Sequence, residues 1–181
     1  PRYTSYPTAD RFKNDFKPED YEQALQARGA SKKPAGLSLY CHIPFCSDVC
    51  FYCGCNKVVT RDHERSAEYM KVLLEEADLV KSKLTGSGEL EQLHWGGGTP
   101  TFLTNDEILF LMSELRARFP FAPGSEISIE VDPRTCPEDK VTSLRESGFN
   151  RMSIGVQDFN PDVQKAVNRI QPFEMTRDLI S

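Results

Sequence analysis

No run of apolar residues in these 181 approaches the ~20 that a helix needs to cross a bilayer, so a helical membrane span is excluded. Nor is there a basic cluster. The 22 Lys and Arg are interspersed among 27 Asp and Glu, net charge is -5, and the electrostatic footprint of a nucleic-acid binder is missing. Nucleic acid is therefore not an expected partner. The opening residues, Pro1-Arg2-Tyr3-Thr4-Ser5-Tyr6-Pro7, have neither the charged-then-apolar layout of a secretory signal nor a start methionine, and the chain reads as a fragment of a longer protein. It also lacks the spread of cysteines that a disulfide scaffold uses. Five of the six crowd between Cys41 and Cys55, where bridges would close only tiny loops. Thiols so close together, with no export signal, read instead as reduced metal ligands, and the expected compartment is the cytoplasm.

What is present is the composition of a globular domain, 39% hydrophobic and 27% charged, in a length that suits one core better than two. No internal repeat or low-complexity tract interrupts it. Short β-rich runs alternate with stretches of helical spacing. Leu37 to Tyr40 predicts a strand that enters the cysteine loop. From Asp62 an amphipathic pattern places Tyr69, Val72, Leu73, Val80 and Leu84 at helical steps, and Gly86-Ser87-Gly88 ends it. Leu90 to Trp95 predicts a second strand. Thr104 then opens a helix with Glu107 three residues on, as in a capping box, and Ile108, Leu111, Met112 and Leu115 form its inward stripe. A strand over Glu126 to Val131, a helix over Pro137 to Ser147 with Val141 and Leu144 inward, a strand over Arg151 to Val156 and a helix from Pro161 complete the pattern.

Four strands each followed by a helix predict an α/β fold with parallel strand pairing and right-handed crossovers, either doubly wound or part of a (β/α) barrel. Residues 1–36 differ in kind: turn-rich at first, then a short helical pattern from Asp20 to Ala30 and a linker over Ser31 to Gly36. They read as an amino-terminal extension lying over the core formed by residues 37–181. In either architecture ligands gather at the carboxyl ends of the strands, where helix amino termini and adjustable loops meet.

Directly after the first strand stands Cys46-Ser47-Asp48-Val49-Cys50-Phe51-Tyr52-Cys53, a C-x3-C-x2-C spacing. Three thiolates on one short loop can cap three irons of a cubane [4Fe-4S] cluster and leave the fourth iron open for chemistry. An electron-transfer cluster would need a fourth cysteine, but Cys55 follows too closely to reach the remaining corner easily and Cys136 is remote in sequence. The alternative, a structural zinc site, usually announces itself by two separated C-x2-C pairs, and here only Cys50/Cys53 has that spacing. Cys41, inside the first strand, reads as a small buried side chain.

This spacing after the first strand of a β/α chain resembles the radical S-adenosylmethionine enzymes. The longer segments Tyr40-Cys41-His42-Ile43-Pro44-Phe45-Cys46 and Cys53-Gly54-Cys55-Asn56-Lys57, with the Pro1 to Ala9 opening, resemble the oxygen-independent coproporphyrinogen III oxidases. Matching segments recur through Arg169, although that family's chains are much longer. The fold this implies is part of a TIM-like partial barrel. The resemblance further implies that Cys46, Cys50 and Cys53 hold the cluster and that the open iron binds S-adenosylmethionine, which is split to methionine and a 5'-deoxyadenosyl radical.

By the same resemblance, two molecules of S-adenosylmethionine bind. Gly97, Gly98 and Thr99, in Gly96-Gly97-Gly98-Thr99-Pro100, correspond to the segment that meets the methionine amino group. On residues alone, a Gly-rich turn equally serves loop geometry. Glu130, Tyr40 and Tyr52 are carried over as contacts to the cofactor, and Gln157 and Arg169 as contacts to its second molecule. Without the resemblance, Glu130 reads as a solvent-facing strand residue and Arg169 as a solvated cation. Phe51-Tyr52 reverses the order common in the family. Cys55 corresponds to a fourth cysteine needed for activity without binding the cluster.

The implied reaction is oxidative decarboxylation of coproporphyrinogen III to protoporphyrinogen IX in haem biosynthesis, with an electron donor such as flavodoxin or ferredoxin. Arg2 is a candidate cation for the substrate's propionates. The competing reading is a haem chaperone that keeps the cluster; such relatives typically carry an aromatic residue at the position of Cys55 and lack the Pro-Arg-Tyr-Thr-Ser-Tyr-Pro opening. The chain alone is not expected to turn over.

Overall fold

The computed structural model describes residues 8–30, 36–86 and 88–181. The Pro1–Pro7 opening with Arg2, most of the Ser31 to Gly36 linker, and Ser87 lie outside them. Four strands form one parallel sheet: β1 (Leu37–Ile43), β4 (Leu90–Gly97), β5 (Phe121–Val131) and β6 (Arg151–Ile154), in the order β1-β4-β5-β6. Each new strand is added on the same side of the last. This progression, without the reversal that marks a doubly wound sheet, is that of a barrel. Helices α2 (Glu64–Lys83), α3 (Asn105–Arg118) and α4 (Glu138–Glu146) make the crossovers, and α5 (Pro161–Ala166) and α6 (Phe173–Ile180) follow β6.

Strand alternation divides the sheet chemically. Cys41 and Ile43 of β1, Leu93 and Trp95 of β4, and Ile127, Ile129 and Val131 of β5 are buried in one core with the inner residues of the helices. Tyr40, His94 and Ser128, register neighbours on three adjacent strands, belong to the opposite face. The Tyr40 and His94 rings stack at 5.9 Å, and His94 Nδ1 lies 2.7 Å from Ser128 Oγ. The helices therefore cover an apolar face and leave a polar one to line the concave side of the partial barrel.

The predicted capping box holds. Glu107 N–H donates to Thr104 Oγ1 (3.2 Å) and Thr104 N–H donates to Glu107 Oε2 (2.8 Å), while Ile108, Leu111, Met112 and Leu115 of α3 are all buried. In α2 the stripe is set differently from the sequence expectation. Ser66, Met70 and Leu74 are buried, Tyr69 and Leu73 pack against the core, and Val72 is 59% exposed. Three strands are longer than predicted, β1 running on to Ile43, β4 to Gly97 and β5 beginning at Phe121, whereas β6 ends at Ile154, short of the predicted Val156.

Helix α1 (Pro18–Gly29) buries none of its residues. It meets the end of α2 through Lys83–Glu22 (3.1 Å) and a hydrogen bond from Thr85 Oγ1 to Gln26 O (2.7 Å), so it flanks the helical layer and does not lie over the core.

Candidate cluster and cofactor site

The cysteine loop is closed at its base by a two-residue ribbon that was not visible in the sequence, β2 (Phe45–Cys46) paired with β3 (Val58–Val59). Val58 N–H donates to Pro44 O (2.8 Å) and Thr60 N–H to Cys46 O (2.9 Å), which fixes both ends of the loop. Its middle is held from far along the chain. Phe51 N–H donates to Val167 O (3.0 Å), and Asn168 Nδ2 donates to Val49 O (2.8 Å). Asn168 takes φ 55°, a left-handed conformation that asparagine tolerates better than most residues.

Cys46, Cys50, Cys53 and Cys55 line one cleft of about 350 Å³ at the carboxyl ends of the strands, together with Tyr52, Gly97, Gly98, Thr99, Glu130, Gln157 and Arg169. Of the residues expected from sequence to hold the cluster or its cofactor, Tyr40 alone is outside the cleft wall. It stands beside it, against Gly96 and next to Glu130, with its hydroxyl 3.0 Å from His42 Nδ1. Burial, with the Glu130 carboxylate near, pushes the Tyr40 phenol up.

The glycine segment is built by close approach. Gly97 has φ 120°, and a Cβ on it would meet the His42 ring at 2.8 Å; one on Gly98 would meet Pro44 O at 2.5 Å. Gly98 N–H donates to Ile43 O and Thr99 N–H to Phe45 O, both at 2.8 Å, so the turn lies flat against the base of the cysteine loop. Glu130 is half-exposed but is turned into the cleft. Its Oε2 accepts from Gly97 N–H at 3.1 Å, and its Oε1 lies 3.6 Å from His94 Nε2. Gln157 adopts φ 65°, a strained setting of the kind that concentrates at functional sites.

Each of the three loop cysteines has its own surroundings. Cys46 Sγ is 3.5 Å from Thr99 Oγ1; burial pushes its thiol up, against the effect of that hydrogen bond. Burial would also raise Cys53, but hydrogen bonds from the backbone and side chain of Cys55, with the Lys57 ammonium nearby, hold it below the ordinary thiol value. Cys50 faces two guanidiniums, Arg134 Nη2 and Arg169 Nη1, each 3.8 Å from its sulfur. Cys55 is exposed, and burial of part of its surface together with Cys53 raises its thiol. Cys41 and Cys136 are buried away from the cleft, and burial pushes their thiols up to about 12 and about 11, as suits inert core residues.

Among the described residues no three His, Cys, Asp or Glu side chains converge closely enough to hold a single metal ion. The thiolates of a cubane bind different irons and need not converge, so three separated thiols opening into one cleft fit a multi-iron cluster. Sequence reasoning missed Asp132, Arg134 and Asn168, whose roles depend on contacts between distant segments.

A family model of the radical SAM superfamily matches residues 40–181. The chain belongs to the radical SAM superfamily. The cofactors implied by membership are a [4Fe-4S] cluster and S-adenosylmethionine, and the donor set above suits them. Among curated proteins, the chain is 48% identical over 181 residues to oxygen-independent coproporphyrinogen III oxidase of Escherichia coli, covering all of this chain and 38% of that one. It is 45% identical over 175 residues to the protein of that name from Synechocystis, covering 97% of this chain and 37% of the relative. The solved structure of the Escherichia coli coproporphyrinogen III oxidase, described as a radical SAM enzyme, superposes with TM-score 0.87 at 48% identity, over 98% of this chain and 40% of that chain. The chain thus spans about two fifths of the length of these relatives. Among the described residues no helix is long and apolar enough to cross a membrane.

Proposed function

We propose that this chain is the cluster-bearing part of an oxygen-independent coproporphyrinogen III oxidase, which converts coproporphyrinogen III to protoporphyrinogen IX by oxidative decarboxylation in haem biosynthesis. The observation that carries the reading is the meeting of Cys46, Cys50 and Cys53 with the Gly97-Gly98-Thr99 turn and Glu130 in one cleft, in a chain with 48% identity to such an oxidase along its whole length. When bound, the cluster and S-adenosylmethionine supply the one-electron chemistry that removes a hydrogen atom from an unactivated carbon.

The chain's own residues hold and orient. Cys46, Cys50 and Cys53 are the cluster ligands, and Cys55 stays off the metal as a thiol at the rim. Gly97 and Gly98 let a charged ligand approach the backbone, Thr99 offers a hydroxyl, and Glu130 supplies a carboxylate for the amino group of S-adenosylmethionine. Tyr40, Tyr52, Gln157 and Arg169 complete the contacts, with Gln157 and Arg169 serving a second molecule of the cofactor. A small reducing protein such as flavodoxin or ferredoxin is the electron source.

Anaerobic reconstitution tests this reading. Four irons and four sulfides per chain are expected, with an EPR signal on reduction that changes when S-adenosylmethionine is added. Serine at any one of the three ligand positions should abolish it, and serine at Cys55 should leave it intact. A colourless metal-loaded protein, or an unchanged cluster in a ligand variant, would sink the assignment.

A further inference from the structure

The most enclosed ionic arrangement beside the cysteines is the one around Asp132, at the end of β5. Asp132 is 6% exposed. Over the short turn Pro133–Thr135, Arg134 folds back on it, donating Nε to Oδ1 at 3.0 Å and Nη2 to Oδ2 at 2.6 Å. Arg169 reaches the same carboxylate, Nη1 to Oδ2 at 3.1 Å, and is fixed by Gly155 O (2.8 Å) and Gln171 Oε1 (3.2 Å). One buried carboxylate therefore splints two guanidiniums, and both point at one sulfur, Cys50, at 3.8 Å. Among the described residues no guanidinium donates to Cys46 or Cys53 in this way: Thr99 is beside the first and Cys55 beside the second.

We propose that Arg134 is a positioning residue that donates to the Cys50 sulfur of the bound cluster and raises its reduction potential, with Asp132 fixing the guanidinium in place. This rests on the assignment of Cys46, Cys50 and Cys53 as cluster ligands. Reduction adds negative charge to the cluster, and hydrogen bonds to its sulfurs are among the determinants of its potential. A guanidinium supplies such a bond together with a charge that no accessible pH removes. A purely structural partner of Asp132 would change stability and leave the potential where it was.

An EPR-monitored redox titration of the anaerobically reconstituted protein, without S-adenosylmethionine, compares wild type with Arg134→Gln. The variant is expected to shift to lower potential. At the wild-type midpoint its ratio of reduced to oxidised cluster falls about tenfold, which is ~59 mV for a one-electron couple. Coincident midpoints at equal cluster content overturn the proposal. Should R134Q hold no cluster, pulsed EPR of wild-type protein labelled with 15N-arginine decides. A weak arginine-nitrogen coupling to the reduced cluster supports the contact, and its absence overturns it. Wild-type protein that assembles no cluster removes the ligand assignment as well, whereas an unchanged midpoint removes only the role of Arg134.

Discussion

Gly97 donates its backbone N–H to Glu130 Oε2 across 3.1 Å, joining the end of β4 to the end of β5 at the mouth of the cleft. The bond turns the carboxylate of a strand residue inward and over the glycine turn. It uses one side of one oxygen, and the remaining acceptor positions of the carboxylate stay available to a cationic ligand.

A charge-assisted hydrogen bond of this kind contributes about 1.5–3 kcal/mol. Glu130→Ala is therefore expected to weaken S-adenosylmethionine binding by about 10–100-fold while leaving iron and sulfide content unchanged. Equilibrium dialysis on the reconstituted protein measures the first and chemical analysis the second. Equal affinity in the two proteins would assign the amino-group contact to another residue.

The core makes an unambiguous contrast. Leu111 is fully buried in α3, and Leu111→Ala should destabilise the fold by about 2–5 kcal/mol. Val72, 59% exposed on α2, should tolerate alanine within about 0.5 kcal/mol. Urea unfolding of the two variants beside wild type checks both values.

These two residues also mark what could be read in advance. The α3 stripe was legible because Thr104 and Glu107 fix the helix start by local chemistry and every inward position is apolar. The α2 stripe was misplaced by Val72, because an apolar residue on a surface is ordinary and the inward place at Ser66 is taken by a small polar one. The cysteine motif could be read since its spacing is local. Its supports could not: Asp132 meets Arg169, and Val49 meets Asn168, only after β6 and α5 bring distant segments together. The β2–β3 ribbon, two residues a side, is too short for any periodicity to reveal.

Asp132 gives the fold a defined acid sensitivity. Burial would raise its pKa, but the hydrogen bonds and charge of Arg134, with the charge of Arg169, bring it below the ordinary carboxylate value. A folded-state pKa below the unfolded value of ~3.9 stabilises the protein fully above that value, and the contribution is lost as pH falls through the folded-state pKa. Removing one partner of a buried pair costs about 3–5 kcal/mol, so Asp132→Asn should be less stable than wild type by up to that amount at neutral pH. The gap should narrow steadily below about pH 4. Unfolding curves collected from neutral to strongly acidic pH test this, and a gap that does not depend on pH would rule out an ionised Asp132 as its source.

Asn168 is the clasp of the cysteine loop, and its two contributions can be separated. Its side chain holds Val49 O, and its backbone occupies a left-handed φ of 55° that presents Val167 O to Phe51 N–H. Asn168→Gly removes the side-chain bond but accepts the backbone conformation freely. Asn168→Val removes the bond and adds a steric cost of about 1–2 kcal/mol for a branched side chain at positive φ. The loop should therefore open more readily in N168G than in wild type, and more readily again in N168V. Loss of the visible iron–sulfur absorption under a fixed excess of chelator reports that opening, and the rates should rise in the same order. If N168V lost its cluster no faster than wild type, the grip on Val49 and Phe51 would have no part in keeping the three thiols together, and the β2–β3 ribbon alone would hold the loop.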